Sequence, residues 1–510
     1  MNLRNLAAAA AISLALTAWA APAGAEPLAL ADLPDLVLAN DAGAVTAERS
    51  VQAAYHAYRG TLADALPQVD LSTGYSLYYT PAVTMTDPAV DLTDYAKHGA
   101  TAKVSVSQLL PTAGSLLLSV EDALGVEAIG SSTMFPAAPV YPDPDFEQTP
   151  KATVSLSQLV LLNGKLIDLG LFPAMKRKAE LGWEKEQAAG RVASNRAIFQ
   201  AVQLYLSVVQ IRQAVGQMER TVVLAARRLA SLADGVRLGT ATETDLLDNR
   251  IANGRQRQTL LDLRASLSRT ERLLAAAIGR ESLEGVELAD DVPAWTRAGD
   301  AASLRDVALR TNVSILQGSL ALEERRADDV LAGQQHAATL TLSFSVAGRR
   351  DTGLSQRTFG QSFSDLFADG AGVDWTAAAG LNVPLYDGGS AREGRAASEA
   401  LTASVHKGLE SRQRAVLEDL AAALERRSIL EERVDLLAEA VDLSSRRLAT
   451  EESLLGQGRS TDNDVEARRL DAEAKANDLR QSRADLLLAN LDIASLAGDD
   501  LAGIVKGLPR

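Results

Sequence analysis

The side chains that could do chemistry are unevenly supplied in this chain of 510 residues. Cysteine is absent, which removes disulfides, thiolate metal sites, a cysteine nucleophile and an acylated N-terminal cysteine. The four histidines, His56, His98, His336 and His406, are widely separated and lack the spacing of a metal site or a catalytic triad. Surface positions suit them better. Carboxylates abound, but on coiled-coil helices such charges form solvated faces. The chain therefore reads as a non-enzyme that needs no cofactor and no metal. One acidic pattern stands out, because Asp245 and Asp464 each follow a glycine, Gly239 and Gly458, by the same six positions. At the start of a helix such carboxylates are stabilised by exposed backbone amides, so capping is one role open to them. Asp248, Asp462 and Arg459 lie close by.

The bulk properties bound what these residues can serve. Arg4, an apolar run from Leu6 to Ala21 and the small residues Ala23-Gly24-Ala25 read as a secretory signal peptide at 1–25, cleaved after Ala25. Losing Arg4 takes the net charge from -15 to -16. So acidic a chain, with only 4% aromatic residues, argues against a nucleic-acid partner. No later stretch offers the roughly 20 apolar residues of a membrane-spanning helix. Any membrane segment must then be built from strands.

The glycine-aspartate pattern belongs to a larger duplication. Leu238-Gly239-Thr240 leads into Asp245-Leu246-Leu247, and Ala277-Ile278-Gly279 follows; Gly458-Arg459-Ser460 leads into Asp464-Val465, and Leu496-Ala497-Gly498 follows. From 239 to 458 and from 279 to 498 the offset is 219. Upstream, alternating runs end in Asn163-Gly164 and Asp387-Gly388, and Leu33 to Asn40 resembles Leu304 to Asn312. The expected domains are a first repeat at 26–285, a linker at 286–303 around Pro293, a second repeat at 304–498 and a tail at 499–510.

Long helices must position the glycine turns. Ala201, Leu204, Val208, Ile211, Val215, Met218, Val222, Ala225, Leu229, Leu232 and Val236 step by three and four, the seam of a coiled coil. Val416, Leu420, Ala423, Leu430, Val434, Leu437, Val441 and Leu448 repeat it, with Arg427 and Ser444 as polar interruptions. The spacing predicts long helices at about 166–238 and 390–455, return helices at 243–278 and 462–496, and a shorter helix from Leu304 to about Gln334. About 73 residues at a rise of ~1.5 Å give the first long helix roughly 110 Å. Gly235, Gly239, Gly456 and Gly458 end helices and turn the chain.

Between the helices the period switches to two. Strands are expected at about 69–79, 101–122, 151–160, 339–347 and 373–383, with a possible break across Pro111 to Gly114, giving four to six in all. Leu340, Leu342, Phe344 and Val346 share one face; Thr341, Ser343 and Ser345 share the other. Such runs match the roughly 9 to 11 residues of a tilted membrane strand with an apolar and a polar side. A soluble half-buried sheet alternates in the same way. Thr80 to Gly99 and Ala123 to Pro150 read as long external loops, and Tyr75, Tyr78 and Tyr79 as an interfacial girdle. Open strand edges are not tolerated in lipid, so several copies are needed to close a barrel.

The duplicated order of strand, long helix, glycine turn and return helix resembles the outer-membrane efflux protein (TolC) family over nearly all of the chain after 1–25. The pieces that carry the resemblance are Val383-Pro384-Leu385-Tyr386-Asp387-Gly388-Gly389, the turns Gly239 to Asp245 and Gly458 to Asp464, and Leu66-Pro67-Gln68-Val69. It implies a mainly helical fold with membrane strands: a homotrimer with a trimeric helical barrel and one shared outer-membrane barrel in a Gram-negative-type bacterium, reaching into the periplasm. It also implies a passive exit duct for tripartite efflux or type I secretion, served by a periplasmic adaptor and an inner-membrane transporter. Four strands per chain are usual in the family.

The resemblance places Asp245 and Asp464, with Asp248, near a gate at the helical tips, where carboxylates from three copies would favour cations and raise one another's pKa. Ala467 stands where a second acidic residue is expected in the other repeat. The family's latch tyrosine and arginine have no counterpart, since Leu455 and Ser460 occupy those positions with Arg459 adjacent. Pro384 would stop the last strand, and Gly388 and Gly389 would admit the helix. The rival reading is a periplasmic coiled-coil adaptor or scaffold with no pore.

Overall fold

The computed structural model describes residues 28–80, 83–84, 91–92, 95–112, 114–129, 145–160, 171–289, 292–332, 338–348, 351–352, 373–383 and 385–509. The signal peptide at 1–25, His336, Asn163-Gly164, the expected helix start at Leu166 and Pro384 lie outside these residues. The helices are α1 Leu33–Asn40, α2 Ala42–Ala63, α3 Leu171–Arg237, α4 Glu243–Ala277, α5 Ala301–Thr311, α6 Val313–Ala332, α7 Ser390–Gly456, α8 Asp462–Leu496 and α9 Leu501–Lys506. The strands are β1 Gln68–Thr80, β2 Val83–Thr84, β3 Asp91–Leu92, β4 Tyr95–Leu109, β5 Ser115–Ile129, β6 Asp145–Val160, β7 Ala338–Gly348, β8 Asp351–Thr352 and β9 Val373–Asn382. No described helix is long and apolar enough to cross a membrane.

Two expectations need correction. The stretch expected as one helix from Leu304 to Gln334 is two, α5 and α6, broken at Asn312, whose backbone is extended at ψ 125°. The reason is local: the Asn312 side chain accepts from the amides of Ser314 and Ile315 and so starts α6 itself. Asp41 does the same between α1 and α2, accepting from the Ala44 amide. The second correction concerns the sheet. The break expected across Pro111 to Gly114 separates β4 from β5, but these strands and β6 extend far into the segments read as external loops. In the first half the four long strands have 13 to 16 residues.

The chain divides into two compact units, each drawing on both halves of the duplication. One comprises 1–51, 186–318 and 408–510, and the other 52–185 and 319–407. In the first, charged contacts fix the order of the helices. Arg212 and Arg264 bind Glu271 and Glu219 at 2.7 and 2.6 Å, joining α4 to α3. Arg220 on α3 binds Glu473 on α8 at 2.5 Å, and Arg469 on α8 binds Glu452 on α7 at 3.3 Å. The order is thus α4, α3, α8, α7, with α4 and α7 at the edges.

The core of this unit gathers where many elements meet. Leu33, Val37, Ile198, Tyr205, Leu274, Leu487, Leu491, Leu501 and Val505 are buried together. At roughly 1.5–3 kcal/mol for each large apolar side chain, this cluster is the main source of cohesion. The Tyr205 hydroxyl lies 2.7 Å from the Leu28 carbonyl and 3.1 Å from that of Ala289, where Leu28 pairs with Leu288 in a short parallel bridge. Asn195 pins the other chain end, donating to the Asp499 carbonyl and accepting from the Leu501 amide. A second cluster, Leu304, Ala308, Ile315, Val416, Leu420, Ala423 and Ile493, packs α5 and α6 against α7 and α8.

In the second unit the long strands form one antiparallel sheet in the order β1-β4-β5-β6-β7-β9, with β8 paired to β6. The path does not close, and β1 and β9 are its edges.

Candidate functional site

The register of the sheet sorts its side chains onto two faces. Leu71 lies opposite Val104, Val104 opposite Val120, Val120 opposite Ala152, Ala152 opposite Val346 and Val346 opposite Trp375. One residue along, Asp70, Ser105, Ser119, Thr153, Ser345 and Thr376 form the neighbouring row. Because side chains alternate along a strand, the first row belongs to an apolar face and the second to a polar one. The apolar face lies open in this unit: Leu71 is 71% exposed, Tyr75 70%, Trp375 71% and Leu381 64%. A shallow apolar groove of about 400 Å³ runs over it beside Val154, Leu342 and Phe344. A soluble half-buried sheet would cover this surface, and exposed apolar area on this scale marks a surface that meets lipid or another chain.

Charges on the polar face are arranged across strands. Lys103 faces Glu121 on β5, and Glu121 faces Lys151 on β6. Opposite charges in directly facing positions stabilise a sheet by a few tenths of a kcal/mol, roughly. Of the expected girdle, Tyr75 and Tyr79 share the apolar face, while Tyr78 lies on the polar face opposite Lys97. The Tyr75 hydroxyl meets His98 Nδ1 at 2.7 Å, so this histidine has a partner the sequence did not reveal.

In the same unit, Arg177 on α3 reaches Glu180, Glu184 and Glu323 at 3.0, 3.1 and 2.6 Å. Glu323 first, then Glu180, hold its guanidinium still more firmly charged. Lys178 binds Asp328 at 2.7 Å and Lys185 binds Glu324 at 3.2 Å, so three bridges tie α3 to α6. Trp183 stacks on Tyr58 with ring centroids 5.7 Å apart, fastening α2 to α3. None of these contacts was anticipated; only the clustering of Arg177, Lys178 and Lys185 on one helical face could have signalled them.

At the glycine turns the two repeats match in atomic detail. Thr240 N donates to Gly235 O and Arg459 N to Leu454 O, at 2.8 and 2.9 Å, and Gly239 and Gly458 take φ of +74° and +70°. These are Schellman ends, in which glycine supplies the left-handed residue. Asp245 and Asp464 sit three residues past Thr242 and Thr461, which are the actual N-caps. Thr242 Oγ1 accepts from the Asp245 amide at 3.1 Å and donates to its carboxylate at 2.5 Å. Thr461 repeats this with Asp464 at 3.3 and 2.6 Å. The hydrogen bond from Thr461, chiefly, holds the Asp464 carboxyl below its ordinary range. Asp248, Asp462 and Arg459 are exposed nearby. At the other junction Gly388 and Gly389 adopt φ of +69° and +91°, and Asp387 accepts from the amides of Gly389 and Ala391 as α7 begins. Among the described residues no group of three or more His, Asp or Glu side chains could hold a metal.

The sequence matches no family profile and no curated protein. Solved structures resemble it throughout. CusC, studied for transmembrane channel formation, aligns with a TM-score of 0.62 and 13% identity over 92% of each chain. The outer membrane protein VceC from Vibrio cholerae gives 0.59 and 14%, covering 92% of this chain and 96% of its own. The Campylobacter jejuni CmeC outer membrane channel gives 0.61 and 13%, covering 92% and 85%. The chain thus has the fold of these outer membrane channel proteins, which is the architecture its resemblance to the TolC family implied.

Proposed function

We propose that this protein is the outer-membrane channel of an export system, acting as a homotrimer that passively passes cargo from the periplasm to the exterior. The observation that carries the reading is the two-faced sheet, apolar and uncovered on one side, polar on the other, and open at β1 and β9. Strands in lipid must close on themselves or on copies, because unpaired amides and carbonyls cost several kcal/mol, roughly, in hydrocarbon. Exposed Ile429, Leu436 and Leu443, spaced by seven on edge helix α7, and Leu247, Ile251 and Leu261 on edge helix α4 supply apolar stripes for the same copies to share. A pore-free adaptor or scaffold has no need of the two-faced sheet. A periplasmic adaptor and an inner-membrane transporter, of tripartite efflux or type I secretion, complete the proposed system. Purified mature protein is expected to fractionate with outer membranes, to run as a trimer and to conduct ions in a planar bilayer. Recovery as a soluble monomer without conductance overturns the reading.

The tip carboxylates extend this proposal. Asp245 and Asp464, with Asp248, Asp462 and Arg459 beside them, would ring the periplasmic mouth in three copies while still capping their helices. Replacing Asp245 and Asp464 together with alanine is expected to weaken block by divalent cations. Unchanged block leaves them with capping alone.

A further inference from the structure

We propose that the β4–β5 hairpin is a full part of the membrane wall, so that each copy contributes six strands rather than the four usual for the resembled family, and three copies close a barrel of 18. This rests on the channel reading above. The hairpin stands between β1 and β6 in the sheet, paired over 13 positions with β1 and 13 with β6. It is not an appendage to either.

Its turn is fastened to the neighbouring strand. Leu110 N donates to Gly114 O at 2.7 Å, Thr112 Oγ1 donates to Gln158 Oε1 at 2.6 Å, and Gln158 Nε2 donates back to Thr112 O at 2.9 Å. Gly114 packs so closely on β6 that a β-carbon would overlap the Gln158 side chain and lie 2.7 Å from the Ser157 carbonyl. The hairpin also obeys the two-face rule. Val104 and Leu118 lie on the apolar face at 45% and 41% exposure, whereas Ser105 and Ser119 lie on the polar one.

Edge pairing between copies follows from strand direction. Six consecutive antiparallel strands leave β1 and β9 running oppositely, so β9 of one copy meets β1 of the next with the alternation and both faces preserved. Barrel diameter rises roughly linearly with strand number, so 18 strands enclose a bore roughly 1.5-fold wider than 12. Two of the three charges in the Lys103, Glu121 and Lys151 row come from the hairpin, so a wider bore also carries a mixed-charge band.

The absence of cysteine makes site-directed labelling specific. Single-cysteine variants of the full chain, Val104→Cys, Leu118→Cys and Phe344→Cys on the apolar face and Ser105→Cys, Ser119→Cys and Ser343→Cys on the polar one, are labelled with bimane and reconstituted in vesicles of brominated phosphatidylcholine. Labels at 104, 118 and 344 are expected to lose most of their emission, and those at 105, 119 and 343 to keep it. Quenching at 344 but not at 104 and 118 overturns the six-strand wall and leaves the channel intact. Quenching at none of the six overturns the channel reading itself. Strands counted in an electron cryomicroscopy cross-section of the trimer in nanodiscs should number 18; a count of 12 overturns the proposal.

Discussion

Gly498, at a φ of +79°, places the site of its missing β-carbon against the main-chain carbonyl of Thr311. Its counterpart 219 residues earlier, Gly279 at +73°, presses in the same way on the Asn40 side chain. Each glycine ends a return helix where the chain passes a break between two short helices. Gly498→Ala therefore meets both backbone strain and overlap with main chain that cannot move aside, and is expected to cost more than about 2 kcal/mol. Gly458→Ala shares only the strain, since open space surrounds it, and should cost about 1 kcal/mol. Thermal unfolding of detergent-solubilised protein ranks the two, and an equal shift removes the packing argument.

The tip caps should respond to pH. The Asp464 carboxyl is held below its ordinary range by Thr461, so its stabilising effect is present above the unfolded value of roughly 3.9 and is lost as pH falls through the lower folded value. Thr461→Ala is expected to cost about 1 kcal/mol at neutral pH and to expose the start of α8 to proteases. Cleavage by pepsin near 460 should therefore rise with acidity in the native chain and already be high in the variant. A native profile flat down to the lowest pH tested contradicts this.

On α8, Asp485 and Asp492 behave oppositely. Burial is the largest influence on both and raises them, although Arg426 pulls back on each. A carboxyl with a raised folded value is least costly when protonated, so its penalty grows as pH climbs from the ordinary value through the raised one and is complete above it. Asp485→Asn and Asp492→Asn are expected to raise the thermal midpoint at pH 7 by on the order of a degree, since solvent still reaches both groups and screens the effect. Below about pH 3.5 the gain should vanish. A loss of stability at pH 7 points to Arg426 as the stronger influence.

The apolar stripe on α7 separates assembly from folding. Ile429→Glu with Leu436→Glu alters exposed positions and is expected to convert the proposed trimer to folded monomers, read by light scattering in detergent. Leu430→Glu, one residue away in the buried seam, should instead lower the thermal midpoint sharply. A trimer that survives the double change assigns the stripe no part in association.

Periodicity made the long elements legible. The heptads of α3 and α7 and the glycine-to-aspartate spacing placed α4 and α8 to within a residue or so, because a seam and a Schellman end are both written in consecutive residues. The true reach of β4, β5 and β6 was harder to read. Lys97, Gly99, Glu121, Gly125 and Lys151 have the composition of loops, yet a strand whose alternate residues face water accepts charges and glycines when facing partners match. Register, not composition, reveals that. The break at Asn312 lacked a proline or glycine to announce it, and its signal was an asparagine able to cap the next turn. At the tips the aspartates were visible and the threonines that bind them were overlooked, although Thr-x-x-Asp at 242–245 and 461–464 is a short form of the capping box.

Four long strands from one half of the duplication and two from the other leave the halves unequal in the sheet while their long and return helices still correspond residue for residue. Adding a hairpin changes strand number by two and so conserves parity: the chain leaves the sheet in the same direction and at the same kind of edge as before. The calibre of the proposed barrel and the length of the helices are for that reason separable quantities, and selection can enlarge one without redrawing the other.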